Sequence, residues 1–204
     1  MIVIVIVIVI VIVIVIVIVN MIVVAHFQSP LGMIQLLASD HGLAGVRFLD
    51  TPPCPQATLA SPHPDHPDHP DHPVLQAATC QLTEYFARQR MRFDLPLDMR
   101  CGTAFQQSVW YAILGVAYGQ TWSYGGLSAK IGRPMATRAV GAALGRNPLG
   151  IVVPCHRVVG ATGALTGYAG GLVRKATLLQ FEGAFASVPM NKDDARCLAT
   201  LKSK

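Results

Sequence analysis

Near the start of the chain, apolar residues fall into three short runs, 22–28, 32–38 and 43–49, separated by the turn sequences SPLG and SDHG. Such runs, broken by Ser, Pro, Asp and Gly, predict strand, turn, strand, turn, strand. The period then changes: Leu75, Ala78, Leu82, Tyr85 and Phe86 recur at helical spacing, which predicts an amphipathic helix over 74–90. A strand-like piece at 91–97 completes this first module, which carries no obvious chemistry. After the linker DMRCGT, Thr103 is placed to cap a helix over 104–114, with Phe105, Val109, Ala112 and Ile113 on one face. Residues 119–148 then read as helix, tight turn, helix. Ser123 is the first cap, Gly132–Pro134 the turn, and 135–145 a second helix rich in Ala and Gly. These are helix-turn-helix proportions, and small residues let a partner backbone come close. Two helices packed in a core would give the same pattern, so the pattern alone leaves both readings open. The fold class expected is α+β: a small strand-rich α/β module followed by a mainly helical domain. The divisions fall at 21–98 and 99–184, with a tail at 185–204.

Two segments lie outside this pattern. Residues 2–19 alternate Ile and Val without a break, long enough to span a bilayer but with no charged n-region and no small-residue cleavage site. A perfect two-residue repeat is the mark of a simple hexanucleotide repeat read in frame. The expectation is a functionless tract at 1–20, or a translation start at Met21, with a membrane anchor as the alternative. Residues 51–73 form a Pro- and His-rich linker ending in HPDHPDHPDHP. Its four histidines could chelate a metal weakly, but prolines hold such a tract extended and no second ligand cluster closes a site.

Charge sharpens the division. Residues 1–100 hold five Lys/Arg against eight Asp/Glu, whereas 101–204 hold eleven against three. A basic second half suits a polyanionic partner, because Lys and Arg displace counterions from phosphate; a merely solvated basic face is the alternative. The five cysteines include no CxxC pair, which argues against a zinc ribbon or a disulfide scaffold. Free thiols point to a reducing, cytoplasmic compartment.

The segment IVVPCHRVV, 151–159, joins a thiol to an imidazole. A cysteine must lose its proton to become a nucleophile, and free Cys has a pKa of about 8.5. A neighbouring imidazole can take that proton, directly or through a water, and a carboxylate can orient the imidazole. Adjacent side chains on an extended segment point to opposite sides, so a water relay or a sharp bend after Pro154 is needed. A lone Cys-His pair is weak evidence, since most cysteines are inert core residues.

PCHRV, together with upstream Asn147-Pro148 and downstream GYAGGLVRKATLLQFEG (167–183), resembles the O6-alkylguanine-DNA alkyltransferase family. The resemblance is specific from about Thr103 to Gly183 and looser over Met21–Asp98. It implies a ribonuclease H-like first module and a single-turnover transfer of an alkyl group from O6 of guanine, and from O4 of thymine, to a cysteine. By that resemblance Cys155 matches the acceptor, His156 the base acting through a water, Glu182 the carboxylate holding the histidine, and Asn147 the brace of the surrounding turn. Tyr124 matches the residue that contacts the flipped guanine, and Arg138 the finger that fills the gap left by it; Arg133 joins them on the DNA side. Val158, Tyr168, Ala169 and Lys175 belong to the substrate pocket, Val158 and Ala169 through backbone groups. The partner implied is double-stranded DNA with an alkylated guanine, entered from the minor groove by a monomeric protein, with no cofactor, metal or membrane. Gly150 stands where several family members carry Pro, and Ala169 where Ser is common, which bears on pocket width. A DNA-binding regulator without catalysis and a thiol hydrolase using Cys-His-Glu are the competing classes. The intact Cys155, His156 and Glu182 weigh against the first, and nothing supplies the oxyanion hole that the second needs.

Overall fold

The computed structural model describes residues 22–51, 69 and 71–184. The Ile/Val tract, nearly all of the His-Pro-Asp repeat, and the tail lie outside the described residues, as do the expectations attached to them. The three strands form as the pattern predicts: β1 (Val23–Ser29), β2 (Gly32–Ser39) and β3 (Gly42–Phe48), an antiparallel meander in the order β1-β2-β3. The two turns are fixed by serine. Ser29 Oγ accepts from Leu31 N at 3.1 Å, and Ser39 Oγ accepts from His41 N at 3.2 Å while donating to Asp98 at 2.6 Å. The middle strand is buried from Ile34 to Ala38, so both of its faces are covered.

Helix α1 (Pro73–Phe86) starts on a proline at its first turn and packs Leu75, Ala78, Leu82 and Tyr85 into the core. It ends four residues before the sequence pattern suggests. Arg88 adopts a φ of 61°, and Gln89 N–H closes back on the Glu84 carbonyl at 2.8 Å, a left-handed helix stop. The expected strand at 91–97 does not form. Pro96 has no N–H to give to a ladder, so the segment makes one parallel bridge, Leu97 to Leu43. That bridge is still useful: Leu43 N donates to Pro96 O at 2.7 Å and Asp98 N to Leu43 O at 2.8 Å, stitching the sheet to the approach of the second module.

In the second module, α2 (Ala104–Ile113) opens on a reciprocal capping box between Thr103 and Gln106. A two-residue strand β4 (Trp122–Ser123) leads to α3 (Tyr124–Lys130), capped by Ser123 Oγ accepting from Gly126 N at 3.0 Å. Gly132, with φ 71°, makes the turn, and α4 (Thr137–Gly145) follows two residues later than predicted because Pro134 and Met135 belong to the turn. The packed-helix reading holds for one face of this pair, and the other face is open to solvent. Val140, Ala143 and Leu144 face the core, where Trp110 Nε1 donates to Ala143 O at 2.8 Å, while Thr137, Arg138 and Ala139 stay exposed. The 151–159 segment is not extended. It bends after Pro154 into a single 3-10 turn, Cys155–Arg157, then gives β5 (Val158–Val159), which pairs in parallel with β4. Helix α5 (Leu172–Phe181) closes the fold.

Gly42 tests the stitch between the sheet and the 91–97 segment. Its φ is 134°, and a Cβ there would lie 2.3 Å from the Pro96 carbonyl oxygen. Gly42→Ala should therefore cost about 2 kcal/mol or more in chemical denaturation. An unchanged midpoint would mean that the 91–97 segment yields freely.

Candidate active site

Cys155 lies at the start of the 3-10 turn, 6% exposed. Three bonds from Asn147 shape the turn around it. Its Nδ2 donates to Val153 O at 2.8 Å and to Cys155 Sγ at 3.2 Å, and its Oδ1 accepts from Leu149 N at 3.0 Å. One amide side chain thus fixes both ends of a loop whose apolar residues could not fix it themselves. Burial raises the thiol pKa, partly offset by the Asn147 hydrogen bond and the nearby Lys175 charge.

The bend after Pro154 turns His156 inward, fully buried. Its Nε2 lies 3.0 Å from Glu182 Oε1, at the end of α5, and its Nδ1 is buried with no partner. Glu182 accepts three further bonds: from Tyr85 Oη at 2.7 Å and Arg157 Nη2 at 2.9 Å on Oε1, and from Arg157 Nε at 2.8 Å on Oε2. Burial alone would raise the Glu182 pKa, but the hydrogen bonds of His156 and Arg157 and the Arg157 charge prevail and hold the carboxyl far below its usual range. An ionised carboxylate only accepts, so the imidazole must donate Nε2–H and keep its lone pair on Nδ1. Burial also lowers the His156 pKa, against the pull of Glu182, so the ring is neutral beside the Arg157–Glu182 ion pair.

Lys175 is entirely buried, and its ammonium donates to Val158 O and Thr166 O, each at 2.6 Å, and to Gly167 O at 3.4 Å. Its three protons match one carbonyl of β5 and two of the loop before α5. Burial pulls its pKa down to about 8. Tyr124, at the first turn of α3, donates to Thr166 O at 3.4 Å, so the same loop is tied to the helix-turn-helix.

A cavity of about 270 Å³ opens onto Cys155. Its lining includes Asn147, Gly150, Tyr168 and Ala169 from the second module, and Val46, Arg47 and Phe48 from β3. The wall between modules is a short parallel bridge, in which Val46 N donates to Pro148 O at 2.8 Å and Gly150 N to Val46 O at 3.0 Å. Proline at 150 would lack that N–H. Cys155, His156, Glu182 and Asn147 are therefore brought together, with Tyr168 and Ala169 on the cavity and Val158, Lys175 and Tyr124 behind the loop. Arg133 and Arg138 are exposed on the helix-turn-helix and do not line the cavity.

Two residues of this network were not anticipated. The Tyr85 side chain reads as helix core at its spacing, and nothing local marks its hydroxyl. Arg157 did leave a signal: a guanidinium inside an apolar run needs a buried carboxylate, and Glu182 is the acidic residue in the C-terminal motif. Among the described residues, no group of three His, Cys, Asp or Glu side chains could hold a metal ion, and no helix is long and apolar enough to cross a membrane.

Comparison with known proteins covers nearly the whole described chain. Residues 104–184 match the family model of the 6-O-methylguanine DNA methyltransferase DNA binding domain, and residues 22–99 that of the ribonuclease-like domain of the same methyltransferase. A methylated-DNA–protein-cysteine methyltransferase of Mycobacterium tuberculosis is 42% identical over 174 residues, 85% of this chain and 100% of the relative. One of Methanosarcina acetivorans is 43% identical over 78% of this chain and 97% of its own length. The crystal structure of M. tuberculosis OGT in complex with DNA superposes with a TM-score of 0.69 at 42% identity, covering 80% of this chain and 94% of that one. With both of its modules matched and relatives of this identity aligned over nearly their full lengths, the chain belongs to the 6-O-methylguanine DNA methyltransferase family.

Proposed function

We propose that this protein repairs DNA by moving the alkyl group from O6 of an alkylated guanine, or O4 of an alkylated thymine, onto Cys155. The observation that carries the assignment of the acceptor is a buried thiol on an apolar cavity, next in sequence to an imidazole whose partnerless nitrogen is Nδ1. His156 Nδ1 takes the thiol proton through a water, and Glu182 stabilises the imidazolium that results. The thiolate attacks the alkyl carbon. A C–S bond forms, the C–O6 bond breaks, and its electron pair leaves on guanine, balanced by the proton on His156. The thioether is stable, so each molecule acts once.

A duplex hides O6, so the nucleotide must rotate out into the cavity, losing a few kcal/mol of stacking and pairing. Exposed Arg138 on α4 supports its reading as the side chain that fills the gap from the minor groove, with Arg133 on the turn for phosphate. Tyr124 guides the flipped base. The backbone groups of Val158 and Ala169, steadied by Lys175, read guanine edges beside Tyr168. The protein acts as a monomer in the cytoplasm.

Incubation with a duplex carrying O6-methylguanine should add a single methyl group to the intact mass, mapped to Cys155, and Cys155→Ala should abolish uptake while still binding the lesion. Methyl uptake by Cys155→Ala would falsify the assignment; turnover without an adduct would indicate a hydrolase, and binding alone a regulator.

The pH dependence follows from the base. Because burial lowers the His156 pKa, the imidazole stays unprotonated below its ordinary value of 6.5. Single-turnover rates should hold level from about pH 7, where Lys175 keeps its charge, down past pH 6.5 and fall only at lower pH. A half-maximal point above that value would mean that the pull of Glu182 outweighs burial at the imidazole.

Arg138→Ala should slow repair in duplex DNA about tenfold more than repair of the same lesion in a single strand, which leaves no hole to fill. A generic phosphate contact would instead slow both substrates equally and lower the salt slope on each.

A further inference from the structure

We propose that Tyr85, from the strand-rich module, is a positioning residue of the active site, whose hydroxyl fixes Glu182 Oε1 and thereby sets the proton affinity of His156. This rests on the reading of His156 as the base. Three donors converge on Oε1: Tyr85 Oη at 2.7 Å, Arg157 Nη2 at 2.9 Å and His156 Nε2 at 3.0 Å. A carboxylate oxygen has two lone pairs, so the three compete, and the shortest bond is the tyrosine's. Each donor that draws on the carboxylate leaves less of its charge to stabilise an imidazolium. In a buried site that trade is amplified.

The direction of the Tyr85 bond is fixed. Burial and the Glu182 charge keep the phenol protonated far above the ordinary tyrosine range, and the carboxylate stays ionised, so the hydroxyl always donates. The buried ring is also held in place, packed against Phe86, Phe93 and Phe181 at centroid distances of 5.1, 5.4 and 5.4 Å. A phenylalanine would fill the same space, so packing does not account for the oxygen. Other charged and titratable groups bear on Glu182 differently. Arg157 neutralises it from the 3-10 turn, Lys175 acts from α5 through His156, and Tyr118 spends its hydroxyl on the Phe181 carbonyl at 3.3 Å. Arg88 lies over the Phe181 ring at 4.6 Å and acts on Tyr118. Among the described residues of the first module, Tyr85 is the one that donates to Glu182.

The test compares Tyr85→Phe with the unaltered full chain by ¹⁵N titration of the His156 imidazole and by the pH dependence of single-turnover methyl transfer. Loss of the competing donor should move the imidazole titration and the acidic limb upward together by about half a unit. That is roughly threefold slower transfer on the limb, with the plateau within about twofold. Replacing Tyr85 by 3-fluorotyrosine, a stronger donor of nearly the same shape, should move the titration the other way; it also serves if Tyr85→Phe fails to fold. Tyr118→Phe, which removes a hydroxyl from the same aromatic cluster, should move neither. An unmoved imidazole in the Tyr85 variants, or an equal shift in Tyr118→Phe, overturns the proposal. If the unaltered chain takes up no methyl group, the proposed function fails, while the imidazole titration still decides the role of Tyr85.

Discussion

The buried carboxylate of Glu182 gathers four hydrogen bonds from three residues on two distant elements: Tyr85 on α1, and His156 and Arg157 on the 3-10 turn. Taking a carboxylate out of water costs several kcal/mol, and attraction to an unpaired cation seldom repays it. Here the Arg157 fork meets both oxygens, and its third nitrogen donates to Val116 O at 2.7 Å, so neither charge is left unsatisfied. The ion pair is neutral as a unit. A neutral imidazole beside it is therefore the lower-energy state, and the tautomer with Nδ1 bare follows.

That arrangement defines the demands on the thiol. Cys155 is buried, which makes its proton harder to remove, and the site partly compensates through Asn147, the Lys175 charge and the backbone amides of Cys155 and His156. Asn147 acts twice, because the amide that donates to sulfur also holds the backbone turn presenting it. Lys175 likewise combines roles: its charge favours a thiolate, while its donors tie the loop that carries Tyr168 and Ala169 to β5.

The strand-rich module is more than a support. It supplies one wall of the cavity through Val46, Arg47 and Phe48, joined to the active-site loop by the Val46–Pro148 and Gly150–Val46 bonds. Glycine at 150 keeps a donor that proline would remove, so the pocket wall stays hydrogen-bonded to Val46 there. On the other side, α4 divides its faces between core and solvent, which lets one helix brace Trp110 and still expose Arg138.

Much of this was legible in the chain itself. The three strands, the Thr103 and Ser123 caps, the glycine turn before α4 and the Cys155-His156 pair are local features, each written in a few adjacent residues. The α1 stop and the failure of 91–97 to form a strand were not, because a left-handed Arg88 and a missing amide at Pro96 act against an apolar pattern that continues past them. The tertiary structure alone decided that Arg157 shares the Glu182 carboxylate with His156, and that Tyr85 reaches it across 97 residues of sequence. Periodicity records which side of an element is buried. It carries no record of which distant polar atom a buried hydroxyl or guanidinium will meet, and that meeting is what gives the imidazole its tautomer.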